Sequence, residues 1–116
     1  MLISIIIPTR DRADYLKYSV QTALKIDDIE IEVIVSDNAS IDHTEKIISS
    51  IKDNRLKYIN TGKRVSMREN FEFALKASSG EYVIFFGDDD GIIPDQFKYL
   101  RTILLKYKPD ALSWDF

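Results

Sequence analysis

Three consecutive aspartates, Asp88, Asp89 and Asp90, follow the apolar run Tyr82–Phe86 after a single glycine, Gly87. Two carboxylates about 5 Å apart repel each other by roughly 3 kcal/mol at an effective dielectric near 20. Aspartate oxygens are hard ligands that suit Mg²⁺ or Mn²⁺, and such ions are usually shared with substrate phosphates. Because a bound cation would relieve the repulsion, the triplet predicts a metal site. A solvated loop is the simpler interpretation of the same residues.

Two further apolar runs, Ile3–Ile7 and Ile31–Val35, are also followed at once by polar or turn-forming residues. In open α/β sheets, ligands bind beyond the carboxyl ends of the strands. We therefore expect these residues to share one rim with the aspartates, suited to a cation or to a ligand with many hydroxyl and NH groups. The residues are Pro8, Thr9, Arg10 and Asp11 after the first run, and Ser36, Asp37 and Asn38 after the second.

The elements that position this rim alternate between strand and helix. Near-continuous β-branched runs predict strands buried on both faces, and stripes at helical spacing predict the helices between them. Such alternation is typical of right-handed βαβ units with a parallel sheet and helices on both faces. The predicted strands are Ile3–Ile7, Ile31–Val35, Leu56–Ile59 and Tyr82–Phe86. The predicted core positions of the helices are Leu16, Val20, Ala23 and Leu24; Ile47, Ile48 and Ile51; Met67, Phe71, Ala74 and Leu75; and Phe97, Leu100, Leu104 and Tyr107.

Local signals set the helix ends. Ser40 is a candidate N-cap for the second helix, and Ser66 with Glu69 forms a capping box for the third. Gly80 suits the left-handed end of the third helix. Pro94 suits the start of the fourth helix and Pro109 its stop, after which the last residues are expected to form a strand.

Length and composition limit the class of protein. A chain of 116 residues, 45% hydrophobic and 30% charged, indicates one globular domain. A net charge of -3 gives no general attraction to nucleic acid or anionic membranes, although a local basic patch is compatible with it. The chain has no cysteine, which excludes disulfides and thiolate metal sites. The apolar N-terminus is too short to cross a bilayer and predicts a first strand.

Three segments carry a family resemblance: "SIIIPTRDRADYL", "EVIVSDNAS" and "SMRENFEFALKASSGEYVIFFGDDDGIIPD". In this order and spacing, from Ser4 to about Asp95, the chain resembles the donor half of a family 2 glycosyltransferase with the GT-A fold. The resemblance implies a Rossmann-like half-domain with a mainly parallel sheet. Residues 1–116 would form the N-terminal nucleotide-sugar-binding part, with the acceptor-binding part absent.

The resemblance also implies roles for individual residues. In the family, strand one ends in a turn against the nucleotide base, an acid after strand two accepts from the base (usually uracil), and an Arg-Asn pair precedes a helix beside the donor. The DxD region touches the ribose and holds the metal, Mn²⁺ or Mg²⁺, that bridges the diphosphate. The matching donor-site residues are Pro8, Thr9, Arg10, Asp37, Asn38, Arg68, Asn70, Asp88 and Asp89; the implied metal ligands are Asp90 first and Asp89 next.

The chain also departs from the family pattern. Gly87 stands where many members have the first aspartate of D-x-D-D, which leaves the register of roles among Asp88, Asp89 and Asp90 open. No residue matches the general base, which family members carry in their later segment. We therefore expect this chain to be part of a longer protein, to bind the donor, and to turn over poorly or not at all by itself.

The implied activity is an inverting, metal-dependent transfer from a nucleotide-sugar, expected to be a UDP-sugar, to an acceptor hydroxyl. The acceptor would be a glycan or glycolipid of cell-surface polysaccharide synthesis, with no nucleic-acid partner. The expected location is the cytoplasm at the inner face of the cell membrane, with peripheral association through a missing C-terminal part. Two alternatives remain at this point: a non-catalytic α/β interaction module, and a receiver-type Mg²⁺-binding phosphoacceptor domain.

Overall fold

The computed structural model describes residues 1–28 and 30–113 and confirms the α/β architecture. Four strands form one parallel sheet in the order β3-β2-β1-β4. Each β-branched run is a strand, and each amphipathic stretch between runs is a helix. The strands are β1 Ile3–Thr9, β2 Ile31–Asp37, β3 Leu56–Asn60 and β4 Tyr82–Phe85; the helices are α1 Ala13–Leu24, α2 Thr44–Ser50, α3 Met67–Ala77 and α4 Pro94–Tyr107.

The two faces of the sheet are packed very unequally. Helices α1, α2 and α4 cover one face, where buried side chains such as Ile5, Val33 and Leu16 form the main core. Helix α3 covers the other face, where the buried apolar cluster is Ile6, Ile34 and Ala74. Helices therefore lie on both faces, as predicted, but most of the apolar burial is on the α1 side.

The strand order places a switch point beside β1. The chain steps from β1 to β2 to β3 in one direction, and then returns past β1 to add β4 on the other side. The loop after β1 and the loop after β4 both lead to helices on the α1 side of the sheet, and Thr9 at the end of β1 donates to Asp88 in the second loop. A crevice forms at this point in doubly wound sheets, beyond the carboxyl ends of the strands.

Three of the predicted core positions are wrong. Met67 is 71% exposed and Leu75 is 48% exposed, because α3 buries Asn70 and Ala74 and its apolar flank lies over β4, an edge strand of the described sheet. Tyr107 is 65% exposed, since Leu104 is the last buried residue of α4.

The predicted helix ends are confirmed in part. The Ser66 hydroxyl accepts from the Glu69 amide at 3.1 Å, although the Glu69 carboxylate accepts from the Ser66 hydroxyl, not from its amide. Ser40 does not cap α2, because its hydroxyl donates to Asp37; the carboxylate of Asp42 accepts from the Thr44 amide instead. Gly80 is not left-handed: its amide donates to Ser4 Oγ at 2.8 Å, and a Cβ there would overlap Ser4.

The predicted start and stop of α4 are correct: Pro94 occupies its first turn, and the helix ends at Tyr107, two residues before Pro109. The strand predicted after Pro109 is absent over residues 109–113, and residues 114–116 lie outside the described ranges. No helix among the described residues is long and apolar enough to span a membrane.

Candidate functional site

A cleft of about 580 Å³ opens at the carboxyl ends of β1 and β4, at the switch point. Polar residues form one wall, and an apolar wall includes the edge-to-face pair of Phe71 and Phe85 with ring centroids 5.1 Å apart. A larger hollow of about 710 Å³ runs along β4 and α4, away from the aspartates. The smaller cleft is lined by Pro8, Thr9, Arg10, Arg12, Asn38, Val65, Ser66, Met67, Asn70, Phe71, Phe85, Phe86, Gly87 and Asp88.

Asp88 joins the end of β1 to the loop after β4. It is 8% exposed, and its carboxylate accepts from Thr9 Oγ1 at 2.9 Å and from the Arg12 guanidinium at 3.2 Å. Both oxygens of Asp88 are thus engaged by the protein. This aspartate fixes the mouth of the cleft and is less available to a ligand than its two neighbours.

Asp89 and Asp90 fold back over Gly87. A Cβ built on Gly87 would overlap Asp90 Oδ2 and would lie 3.1 Å from Asp89 Oδ1, so both carboxylates approach the space that this glycine leaves open. The turn is closed by the Asp90 amide, which donates to the Gly87 carbonyl at 3.2 Å. The Asp89 side chain is 58% exposed and lies 3.5 Å from Arg12.

Asp37 lies behind the cleft and is 1% exposed. Its Oδ1 accepts from the amide and hydroxyl of Ser40 at 3.0 and 2.5 Å, and its Oδ2 accepts from the Tyr58 hydroxyl at 2.6 Å. Burial and the hydrogen bond to the Asp37 carboxylate raise the pKa of Tyr58 to about 12. The observed contacts of Asp37 therefore hold the loop after β2.

Two asparagines fasten the segment that leads into α3. The Asn38 side chain exchanges two hydrogen bonds of 2.8 Å with the backbone of Val65. Asn70 is 3% exposed and pairs with Ser36, accepting from its hydroxyl at 2.6 Å and donating to its carbonyl at 3.1 Å. Both residues line the cleft, so they position its α3 wall against β2.

Six of the ten predicted site residues line the cleft; Asp37 lies behind it, Asp89 and Asp90 lie beside it, and Arg68 lies apart. Arg68 is absent from the cleft lining; its side chain is 87% exposed and pairs with Glu72 one turn along α3. Arg10 lies in the lining, and no carboxylate of the described residues pairs with it. The donor roles of these residues remain predictions.

Arg12 and Tyr58 are the residues at this rim that the sequence did not single out. Arg12 bridges Asp88 and Asp89, which makes it the cation of the triplet. Its signal was present, because a second arginine two positions after Arg10 follows the same strand end. Tyr58 lies in the weakest predicted strand, and no local pattern indicates that its hydroxyl meets Asp37.

The carboxylates beside the cleft offer few ligands to a divalent metal. Across the described ranges, no group of three or more histidine, cysteine, aspartate or glutamate residues is arranged to hold a metal ion. Mg²⁺ and Mn²⁺ are commonly held by one or two carboxylates, with water and substrate phosphates supplying the other ligands. Asp89 and Asp90, converging over Gly87 beside the cleft, fit this kind of incomplete site.

Known proteins are similar to this chain in sequence. The profile of "Glycosyl transferase family 2" matches residues 4–113. The chain is 34% identical over 110 residues to abequosyltransferase RfbV of Salmonella typhimurium, covering 90% of this chain and 33% of RfbV. It is 35% identical over 121 residues to the UDP-Glc:alpha-D-GlcNAc-diphosphoundecaprenol beta-1,3-glucosyltransferase WfaP of Escherichia coli, covering 99% of this chain and 48% of WfaP.

Solved structures share the fold. S. aureus TarS 1-349 in complex with UDP-GlcNAc superposes with a TM-score of 0.83 at 23% identity, covering all of this chain and 37% of that one. The mannosyltransferase PcManGT from Pyrobaculum calidifontis, in complex with GDP-Man and Mn²⁺, gives 0.81 at 21% identity, with 90% and 32% coverage. The chain thus spans about a third to a half of the length of these proteins. With the family profile matched over nearly its whole length, the chain belongs to glycosyl transferase family 2.

Proposed function

We propose that this chain is the nucleotide-sugar-binding part of an enzyme that transfers a sugar from a nucleoside diphosphate to an acceptor hydroxyl. The observation that carries the proposal is the convergence of Asp89 and Asp90 over Gly87, beside a cleft at the switch point of the sheet. The family match supports it, since related proteins are named glycosyltransferases. The family match also argues against the receiver-type alternative. Donor binding is the property that distinguishes the proposed enzyme from a non-catalytic module.

The metal ligands of this proposal are Asp90 and Asp89. The ion would be Mn²⁺ or Mg²⁺, and the Mn²⁺ complex of PcManGT supports this choice. When bound, a divalent cation acts as a Lewis acid that stabilises negative charge on a leaving diphosphate. Asp88 holds the loop that carries both ligands, through Thr9 and Arg12.

The chain's own cations lie beside the same cleft. Arg10 and Arg12 both line it, and a guanidinium forms strong, charge-assisted hydrogen bonds with phosphate. Arg12 is already within 3.5 Å of two aspartates, so a diphosphate bound there would meet a fixed positive charge. Arg68 can reach a donor only after leaving Glu72, and we assign it a secondary role.

The base of the nucleotide would lie toward the loop after β2. A direct contact with Asp37 requires the Ser40 hydroxyl to turn away, which frees an acceptor site on Oδ1. Pro8, Thr9 and Asn38 form the remaining polar edge of this side. We propose UDP as the nucleotide, because WfaP is named for UDP-Glc and TarS was solved with UDP-GlcNAc.

The acceptor and the general base belong to the parts of the relatives that this chain does not span. WfaP is named for an undecaprenol-linked acceptor. We propose an inverting transfer to a lipid-linked glycan in cell-surface polysaccharide synthesis, at the cytoplasmic face of the membrane. The 116-residue chain would bind the donor without efficient transfer. Substantial sugar transfer by this chain alone would contradict the proposal that it binds the donor without transferring the sugar.

Thermal unfolding with UDP, with Mn²⁺ and with both tests the proposal. A ligand at a hundred times its dissociation constant stabilises the fold by about 2.7 kcal/mol, which shifts the midpoint by several degrees in a domain of this size. We expect that shift only with both ligands, and we expect Asp90→Ala to lose it. The control is Asp110→Ala, which removes an exposed aspartate far along the sequence from the triplet.

The other outcomes divide the proposal into parts. A shift with UDP that does not depend on Mn²⁺ would contradict the metal assignment but leave donor binding intact. A shift with GDP and not with UDP would change the nucleotide. If neither nucleotide shifts the midpoint at any Mn²⁺ concentration, donor binding by this chain is wrong.

A further inference from the structure

One side of the molecule exposes an unusual set of aromatic and basic residues. Four of the six tyrosines are between 65% and 68% exposed, and all four lie on α1 or α4. Lysines lie next to them on α4, and Lys106 Nζ is 5.1 Å from the centre of the Tyr107 ring. We call this surface the tyrosine–lysine face; it comprises Tyr15, Tyr18, Lys98, Tyr99, Lys106 and Tyr107.

Hydrogen bonds join α1 to the segment between β4 and α4. Helices α1 and α4 cover the same side of the sheet. The Ser19 hydroxyl donates to the Gly87 carbonyl at 2.9 Å, and the Ile92 amide donates to Thr22 Oγ1 at 3.0 Å. Tyr15 and Tyr18 lie four residues before Ser19 and Thr22, so they are on the same flank of α1, next to the segment that leads into α4.

Charge is distributed unevenly between this face and the rest of the chain. The segments Tyr15–Lys25 and Gln96–Lys108 contain six basic residues and no acidic residue. The remainder of the chain contains ten basic and nineteen acidic residues. One of the six basic residues, Arg101, pairs with Asp28 and Glu30, which leaves five lysines as the positive charge of these segments. Acidic residues flank both segments, at Asp14, Asp27, Asp28, Asp95 and Asp110.

The side chains on this face suit a water–lipid boundary. Tyrosine is enriched at membrane interfaces, where its ring is in the apolar layer and its hydroxyl remains in water. Lysine extends its ammonium group toward the headgroups while its methylenes cover apolar surface. Leu105 and Ile103, 53% and 39% exposed, add aliphatic surface on either side of Lys106. Tyrosine is also enriched at protein–protein interfaces, but lysine is depleted at their core, so the lysines favour a bilayer over a protein as the occupant.

We propose that the tyrosine–lysine face docks the protein on an anionic phospholipid bilayer. The helices would lie on the surface, with lysines near phosphate headgroups and tyrosines at the boundary. The surface is distinct from the candidate donor cleft, and the proposal does not depend on donor binding. It also differs from an anchor in a missing C-terminal part, because all six residues are within this chain.

Vesicle flotation of the 116-residue chain tests the proposal directly. We compare vesicles of phosphatidylglycerol and phosphatidylcholine mixed one to one with vesicles of phosphatidylcholine alone. A lysine near an anionic surface contributes about a fivefold factor in partitioning, so Lys98→Gln with Lys106→Gln lowers binding about 25-fold. High salt lowers the binding of the unmodified chain in the same direction. Tyr99→Ser with Tyr107→Ser also lowers binding but leaves its salt dependence.

A matched pair on the α3 side provides the control. Lys63→Gln with Lys76→Gln removes the same charge while leaving the tyrosine–lysine face intact, and we expect nearly unchanged binding. Binding is compared only among variants whose thermal midpoints match that of the unmodified chain. Equal loss in both lysine pairs would reduce the effect to overall charge and overturn the proposal. No binding to anionic vesicles would overturn it as well, and self-association abolished by the tyrosine variant in sedimentation velocity would assign the face to a second copy.

Discussion

Glu32 and the aspartate triplet, at opposite ends of the sheet, have very different hydrogen-bonding environments. Glu32, near the start of β2, is 4% exposed, and its oxygens accept from Ser4 Oγ, the Ser79 amide and Lys57 Nζ at 2.5–2.6 Å. At the other end, Arg12 is the cation that contacts the aspartate triplet in the described part of the chain, and the Asp89 side chain is 58% exposed. Glu32 is saturated by protein donors, whereas the triplet retains open acceptor sites.

The difference shows how one kind of side chain serves two purposes. A buried carboxylate whose acceptor sites are filled stabilises local structure, and Glu32 holds the turn that leads into β4. A carboxylate group with unfilled sites and neighbouring like charge is costly for the fold and is suited to a ligand. The aspartates follow the far end of β4. The hydrogen bonds of Glu32 to the turn before β4 therefore help to position them.

The largest expected effect is at the saturated end. Glu32→Ala leaves Lys57, the Ser4 hydroxyl and the Ser79 amide without their acceptor, and we expect a loss of about 3 kcal/mol in unfolding free energy. Urea denaturation measures it. A loss below about 1 kcal/mol would mean that water replaces the carboxylate easily and that the contrast between the two ends is overstated.

The same residue gives a pH dependence. Burial alone would raise the pKa of Glu32, but hydrogen bonds from Lys57, Ser4 and Ser79 outweigh it and lower the pKa below 4.5. A lowered folded pKa means that this stabilisation is complete above the unfolded value and is lost as pH falls through the folded value. Unfolding free energy should therefore decrease below about pH 4.5, and less steeply in Glu32→Gln. If the unfolding free energies of the two proteins fall equally steeply below about pH 4.5, Glu32 is not the source of this pH dependence.

Within the triplet, the comparison predicts a division by position. Asp88→Ala removes the acceptor of Thr9 and Arg12, and we expect it to cost about 2 kcal/mol of stability. Asp89→Ala should change stability by less than about 0.5 kcal/mol, because the side chain is mostly exposed. The two variants are compared by urea denaturation without ligand. If Asp89→Ala is the more destabilising variant, the structural and ligand-binding aspartates have been assigned the wrong way round.

A smaller effect is expected at Tyr58. Tyr58→Phe removes one hydrogen bond to Asp37 and should cost about 1 kcal/mol. Because the folded pKa of Tyr58 is raised to about 12, its contribution is present at neutral pH and is lost as pH rises from the unfolded value near 10. Ultraviolet titration of the folded chain should show one late tyrosinate that the variant lacks. If the absorbance lost in the variant belongs to a tyrosine that titrates near pH 10, Tyr58 does not meet the Asp37 carboxylate in solution.

The smallest effect on stability is expected at Gly87. The atoms that a new methyl would meet are the ends of the Asp90 and Asp89 side chains, which can move aside. Gly87→Ala should thus change stability by less than about 0.5 kcal/mol. It should nevertheless weaken Mn²⁺ binding, measured by calorimetry with UDP present, because both carboxylates are displaced. Gly91→Ala, where the nearest atom is 3.7 Å away, is the matched control.

The sequence predicted the elements of the fold well, because their signals are local. Runs such as Ile3–Ile7 identify strands buried on both faces, and all four predicted strands are observed. The errors concern what each helix faces. Met67 and Leu75 fit a helical stripe, but the stripe lies over an edge strand and remains exposed. Periodicity identifies an apolar side of a helix without showing how much of that side is covered.

The sequence predicts which strand ends form the candidate site. It predicts the individual side-chain contacts there less well. Polar residues after β1, β2 and β4 were expected to converge, and Thr9 does meet Asp88. The burial of Asp37 by Ser40 and Tyr58 depends on packing between loops far apart in sequence. The position of Arg68 outside the cleft likewise depends on packing, because α3 leaves this side chain exposed and paired with Glu72.

The position of β4 beside β1 has a consequence for the order of folding. The hydrogen bond from Thr9 to Asp88 spans 79 residues, so the mouth of the cleft closes a loop that includes most of the chain. Contacts of such separation form late, because the entropy of loop closure is lost before they contribute energy. On the ribosome, the first strand is synthesised long before the strand that completes the cleft. Ligand binding at this rim would therefore report that the domain has finished folding.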